Sequence, residues 1–193
     1  VGRAAFRSPL GLGGQAARAG VSCETCHRNG RTNPTFHFPG VSGAPGTADV
    51  TSSLFSSHRG NGVDDPRPIP DLGGPRSGLK VSHDPTSRAL ETFINGLITE
   101  EFDGPEPTPA LLEGLAAYVR ALAGESCAPS PEAPEAVTAS GYLRDAINAV
   151  QAADGALDRR DANTALVLLA AARTRLGRLD ERFAGLPRSQ SAL

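Results

Sequence analysis

Apolar residues recur at helical spacing in separated stretches of this 193-residue chain, with polar, turn-rich sequence between them. Over residues 85–100, Leu90, Ile94, Leu97 and Ile98 share one face and predict an amphipathic helix. Asp84 supplies its N-cap and Pro85 its first helical position. A second helix is predicted from Thr108 and Pro109 to about residue 123, with Leu112, Leu115, Val119 and Leu122 inward. Thr108 caps its start and Gly124 stops it. Residues 1–7 predict a short helix that ends before Pro9. Towards the C-terminus, Leu143, Ile147, Val150 and Leu157 repeat at helical spacing, with Gly155 a weak spot or bend. Asp161 caps a further helix, in which Ala162, Leu169, Leu176 and Phe183 lie seven apart and Ala165, Ala172 and Leu179 fill the seam between them. Two such helices joined by a short polar turn predict an antiparallel hairpin.

Residues 10–80 carry few periodic apolar positions and many Gly, Pro, Ser, Thr and Asn. That stretch is too long for a structureless surface loop in a compact domain, so it needs something to wrap around. After Cys127, three prolines (Pro129, Pro131 and Pro134) make a semi-extended linker. The expected organisation is a first domain over 1–127, a linker over 128–136 and a helical hairpin over 137–193. A hairpin alone cannot bury its apolar face. It is expected to dock on the first domain, on a second copy, or on a partner in a complex.

Candidate chemistry is concentrated in Cys23-Glu24-Thr25-Cys26-His27. Two cysteines two residues apart, followed directly by histidine, form the attachment signature of a c-type heme. One turn of backbone presents both sulfurs to one edge of the porphyrin, where each thiol adds to a vinyl group. His27 then falls beneath the ring as the proximal iron ligand. A bare CxxC also fits a redox dithiol or half of a zinc site. Zinc would need a second pair, and the remaining cysteine is the lone Cys127; a thioredoxin-like motif would need a βαβ context. One covalently held heme is therefore expected, with Cys127 as a free thiol or an intermolecular disulfide.

Composition supports a cofactor-filled core. Aromatics make up 5% of the chain and Trp is absent, so a domain of this size is short of large side chains. A net charge of −2 gives no reason to expect nucleic acid or a charged membrane surface, and no apolar run has the length of a membrane span. No signal peptide is visible and the chain opens on Val1. Because c-type heme is attached outside the cytoplasm in bacteria, a mature chain of the periplasm or another extracytoplasmic space is expected. Arg3, Arg7, Arg18, Arg28 and Arg31 outnumber Glu24 near the motif. They are read either as steering an acidic redox partner or as pairing with heme propionates.

Gly2 and Phe6 near the N-terminus, with Leu115 and Tyr118 on the last helix before the linker, resemble the helix crossing of class I cytochromes c. The segment Val-Ser-Cys-Glu-Thr-Cys-His-Arg-Asn-Gly-Arg-Thr-Asn over 21–33, with the long connections, is more specifically similar to the bacterial cytochrome c peroxidase and MauG group. The likeness spans residues 1 to about 125. It implies a mainly α chain with a class I cytochrome c fold and long irregular loops around one heme. Members of that group usually carry two hemes, whereas this chain has one CxxCH. Residues 81–97 resemble the group's distal segment, in which the histidine is usually not the ligand and a later methionine is. That methionine position falls at or near Leu97.

The chain contains no Met, which excludes the usual Met-closed iron. His83 is the leading candidate for the sixth ligand opposite His27, with His58, His37 or an open iron as alternatives. Glu100-Glu101-Phe102-Asp103-Gly104 ends the helix expected to face the heme; a carboxylate there is either a proton shuttle or a solvated helix end. Asp64-Asp65 reads as turn chemistry, and Pro68-Ile69-Pro70 as an extended segment lining a heme edge. The expected function is a monoheme electron carrier, free or as a subunit, working with a redox partner protein. The alternative is a peroxidase-like or ligand-binding enzyme with an open distal iron.

Overall fold

The computed structural model describes residues 1–74, 79–122 and 138–184. Cys127, Gly124 and the proline-rich linker of 128–136 lie outside the described residues. The described chain is mainly helical, as expected. Among the described residues, no helix is long and apolar enough to cross a membrane.

Helix α1 (Gly2–Phe6) crosses α5 (Pro109–Leu122), and the crossing rests on small and aromatic residues. Gly2 lies directly on the backbone of Gly114, while the rings of Phe6 and Tyr118 meet edge to face at 5.1 Å. α5 starts where expected: the Thr108 hydroxyl accepts the Leu111 N–H at 3.3 Å. Its inward face is turned slightly from the predicted one. Leu111, Leu115, Ala116 and Val119 are buried, and Leu112 and Leu122 only half-buried.

Between α1 and α4 the chain makes short turns instead of long elements. α2 spans Gly14–Arg18, α3 spans Cys23–Cys26, and β1 (Thr47–Ala48) pairs antiparallel with β2 (Arg67–Pro68), Thr47 opposite Pro68. Phe38, Phe55 and Phe102 stack in a file with centroids 5.4 and 5.7 Å apart. With Ala5, Phe6, Leu90, Ile98 and Leu115 they belong to the main core.

α4 (Ala89–Gly96) begins four residues later than the sequence pattern predicts. The Asp84 carboxylate does not cap it. It accepts the Thr86 N–H at 2.8 Å and the Thr86 hydroxyl at 2.7 Å, closing a turn over Pro85. Side chains such as Asp compete for local backbone donors in this way, and here the turn wins over the first helical turn. α4 runs into a π-helical turn, Leu97–Glu101, that rotates the chain so that Ile98 and Phe102 reach the core.

α6 (Ala139–Asp158) and α7 (Ala162–Phe183) pack along their lengths. Thr138 and Asp161 cap them, accepting the N–H groups of Gly141 and Thr164 at 3.0 Å each. α6 passes through Gly155 without interruption, contrary to the expected bend. Ala165 and Ala172 lie in the buried seam as expected, but the rest of it differs from the predicted one. Ala146, Ala149, Ala153 and Ala156 meet Ala165, Leu168, Ala171 and Ala172, while Leu143, Ile147, Val150, Leu157, Leu169 and Leu176 face solvent and Ala162 is exposed. Small side chains let the two backbones approach closely, and that contact outweighs placing the larger residues inside. Phe183 and Leu179 stay half-buried, Phe183 against the Tyr142 ring at 6.3 Å. The pair docks on the first region: Ala4 packs on both alanine clusters, Val167 on the main core, and the Ser8 hydroxyl donates to the Val167 carbonyl at 3.1 Å.

Candidate cofactor-attachment site

The CETC turn is built by its neighbours. Ser22 and Thr25 form a reciprocal capping box, with the Ser22 N–H donating to the Thr25 hydroxyl at 2.9 Å. The His27 N–H closes the turn on the Cys23 carbonyl at 2.8 Å. Asn33 returns across it, its side-chain amide donating to the Thr25 carbonyl at 2.8 Å and its backbone N–H to the Cys26 carbonyl at 3.0 Å. Asn29 and Gly30, at φ of 54° and 75°, make the tight return possible.

Cys23 and Cys26 carry free thiols, and burial pushes both up to about 12; at Cys23 the neighbouring Cys26 adds to the effect. A redox dithiol needs the opposite, a thiol with its pKa lowered towards neutrality. Nor do the residues form a zinc-type cluster. Among the described residues, no three Cys, His, Asp or Glu side chains converge to hold a metal ion, the CxxCH residues included.

His27 is oriented by a partner 43 residues away. Its Nδ1 lies 3.0 Å from the Pro70 carbonyl oxygen. A carbonyl only accepts, so Nδ1 carries the proton and Nε2 keeps its lone pair free for a metal. Burial lowers the His27 pKa, which favours the neutral ring that ligates. Pro70 is held in turn by buried Ile69, whose carbonyl accepts the Thr32 hydroxyl at 2.9 Å and whose N–H reaches Gly46 at 3.0 Å. The Leu72 N–H bonds the Gly30 carbonyl at 3.1 Å, and Arg31 pairs with Asp71 at 2.8 Å. Residues 67–72 thus clasp the CETCH turn. Sequence reasoning placed Pro68-Ile69-Pro70 at a cofactor edge but missed the carbonyl contact, which leaves no pattern in the chain.

The three further histidines separate by environment. His83 is 5% exposed, whereas His37 is exposed and His58 sits at the surface with Nδ1 2.9 Å from Asp103. Arg120 of α5 anchors the His83 segment, donating from Nε to the His83 carbonyl at 3.1 Å while its two terminal nitrogens grip Glu91 of α4 at 2.8 Å each. That guanidinium holds the Glu91 carboxyl below the usual carboxylate range. With its folded pKa depressed, Glu91 adds stability that is complete above the unfolded pKa and is lost as the pH falls through the folded one. Melting temperature measured against pH should therefore decline below the ordinary carboxylate range. Glu91→Gln should flatten that decline and cost about 2–3 kcal/mol at neutral pH.

Of the acidic run that ends the π turn, Glu100 pairs with Arg59 and Asp103 with His58, both at the surface. Glu101 alone of the three turns inward: one carboxyl oxygen is buried without a hydrogen-bond donor, and burial raises its pKa. Glu24 of the CETC turn lies between Arg7, which follows α1, and Arg175 of α7, and Arg7 also pairs with Asp145 of α6, as does Arg3. Arg7 is 7% exposed and pairs within the chain with Glu24 and Asp145. This network joins residues up to 151 positions apart and had no sequence signal.

No protein-family model, no curated protein and no solved structure matches the chain.

Proposed function

We propose that the chain is a monoheme c-type cytochrome that carries electrons, free or as the electron-transfer subunit of a complex. The observation that carries this reading is the CETCH turn with His27 Nδ1 bonded to Pro70, which leaves Nε2 for iron while both half-buried thiols sit on the same turn. An imidazole that ligates through one nitrogen commonly donates from the other to a backbone carbonyl in this way. The α1–α5 crossing through Gly2, Phe6, Gly114 and Tyr118 supports a class I cytochrome c fold over the first domain. Cys23 and Cys26 would hold the heme covalently and His27 would bind its iron; the heme would supply the one-electron couple. His83 is the proposed sixth ligand because it is the buried histidine of the three candidates. The bacterial periplasm, or another extracytoplasmic space, is the proposed compartment, and a redox protein the proposed partner.

A visible spectrum tests this reading. The reduced and oxidised holoprotein should be low-spin and insensitive to carbon monoxide, and His83→Ala should convert it to high-spin with open binding of cyanide. An unchanged low-spin spectrum in the variant would eliminate His83. A high-spin wild-type protein that turns over peroxide would favour the second reading, a peroxidase-like enzyme with an open distal iron. Inward-facing Glu101, with its raised pKa, is the observation on that side.

α6 and α7 are proposed as an antiparallel hairpin that assembles the cytochrome with a second copy of itself. Leu143, Ile147, Val150 and Leu157 on α6, and Leu166, Leu169 and Leu176 on α7, remain 45–60% exposed. Each follows a buried seam residue by one position, so both rows flank the seam on the same side of the pair. A two-fold axis would set this apolar stripe against its own copy, as isologous interfaces do. Sedimentation should give a dimer that Ile147→Glu with Leu169→Glu dissociates. A wild-type chain that stays monomeric at every accessible concentration would rule the dimer out.

A further inference from the structure

We propose that the cleft between the outer side of the CETC turn and the α6–α7 pair binds a small, multiply charged oxyanion, a pyrophosphate-like or polycarboxylate molecule. The cavity holds about 680 Å³ and is lined by seven arginines against two carboxylates, Glu24 and Asp145. A chain with a formal charge of −2 has thus gathered a large local excess of positive charge. The two acids offset only part of it. Glu24 lies between Arg7 and Arg175, and Asp145 takes Arg7 and Arg3. No described carboxylate pairs with Arg28, Arg144 or Arg182.

Arg28 comes from beside the attachment turn, Arg144 from α6, and Arg178 and Arg182 from α7, so the guanidinium groups face the cleft from opposite walls. Asn33 and Asn148 add amide donors on the two sides. A planar guanidinium fork matches two oxygens of a phosphate or carboxylate, and several forks around one space favour a ligand with several such groups. The volume is that of an ordinary small-molecule site. A second observation points the same way. Arg175 is only 9% exposed, yet its Nε has no hydrogen-bond acceptor, and Arg7 Nε touches Glu24 at 2.9 Å without hydrogen-bond geometry. Both arginines line the cleft, and each keeps an Nε–H that no acceptor of the chain satisfies although its terminal nitrogens are ion-paired. A bound oxyanion would offset that excess and bridge the first region to the helix pair.

Isothermal titration of the purified full chain with pyrophosphate and, separately, with citrate tests this. At least one of the two should bind at a single saturable site, and which one binds identifies phosphate or carboxylate chemistry. Arg144→Gln with Arg182→Gln, both exposed positions, should weaken binding about tenfold or more. Arg160→Gln, in the turn between α6 and α7 and outside the cleft, should leave it unchanged. Circular dichroism confirms that each variant is folded. Absence of saturable binding by both anions, or equal weakening by Arg160→Gln, would overturn the site, and neither result bears on heme attachment.

Discussion

Alanine at both Cys23 and Cys26 should leave the chain unable to retain heme through acid–acetone extraction, while the wild-type chain keeps it. The turn itself should survive, because the Ser22–Thr25 capping box and the Asn33 bonds do not use sulfur. What is lost is the covalent link, and with it a cofactor that a core poor in large side chains needs. Intact-protein mass spectrometry gives the same answer directly: the wild-type chain made alongside heme-attachment machinery should carry one heme mass. A bare mass would sink the reading. The apo-protein offers an independent discrimination. With both thiols raised well above their ordinary value, little thiolate is present at pH 8, so iodoacetamide should label native Cys23 and Cys26 slowly. Rapid labelling at one of them is what a redox dithiol would show.

The CETCH turn was legible as a candidate site because the chemistry proposed for it is local: five consecutive residues would carry it, and one helical turn arranges them. Helix existence was legible for the same reason, since periodicity and caps such as Thr108 and Asp161 act within a few residues. Register against neighbours was not. In α6 and α7 the large aliphatics carry the stronger periodic signal, but the close approach of alanines sets the seam, and small residues weigh little in a hydrophobic pattern. At Asp84 two local solutions competed, and the pattern alone favoured the wrong one. The contacts that orient the site were hidden altogether. Pro70 acts on His27 through its backbone, and Glu24 meets arginines from both ends of the chain. Neither a carbonyl nor a long-range ion pair has a sequence spacing to recognise.

Gly2→Ala should be among the most destabilising single changes in the chain, and Gly114→Ala close to neutral, although the two glycines touch. A Cβ on Gly2 would stand 1.8 Å from the Gly114 carbonyl oxygen and 2.9 Å from the Tyr118 Cβ. Those atoms belong to the body of α5 and cannot swing aside, so the helices must separate. Separation would loosen the edge-to-face contact of Phe6 with Tyr118 and the burial of Ala5. A cost of about 3 kcal/mol or more follows, at the upper end for an overpacked site. In a chain of this size that lowers the melting temperature by roughly 6–12 °C. A Cβ on Gly114 meets a different surface. Its nearest contacts are the Gly2 N and the Val1 Cγ1, each at 3.0 Å, and Val1 is 38% exposed. A few tenths of an ångström of movement there relieves the contact. Against it stands the gain of about 1 kcal/mol from replacing a mid-helix glycine with alanine. The two effects offset, leaving a net change within about 1 kcal/mol. Equal melting temperatures for the two variants would mean that α1 does not cross α5 at Gly2, and would remove the main structural support for the class I cytochrome fold.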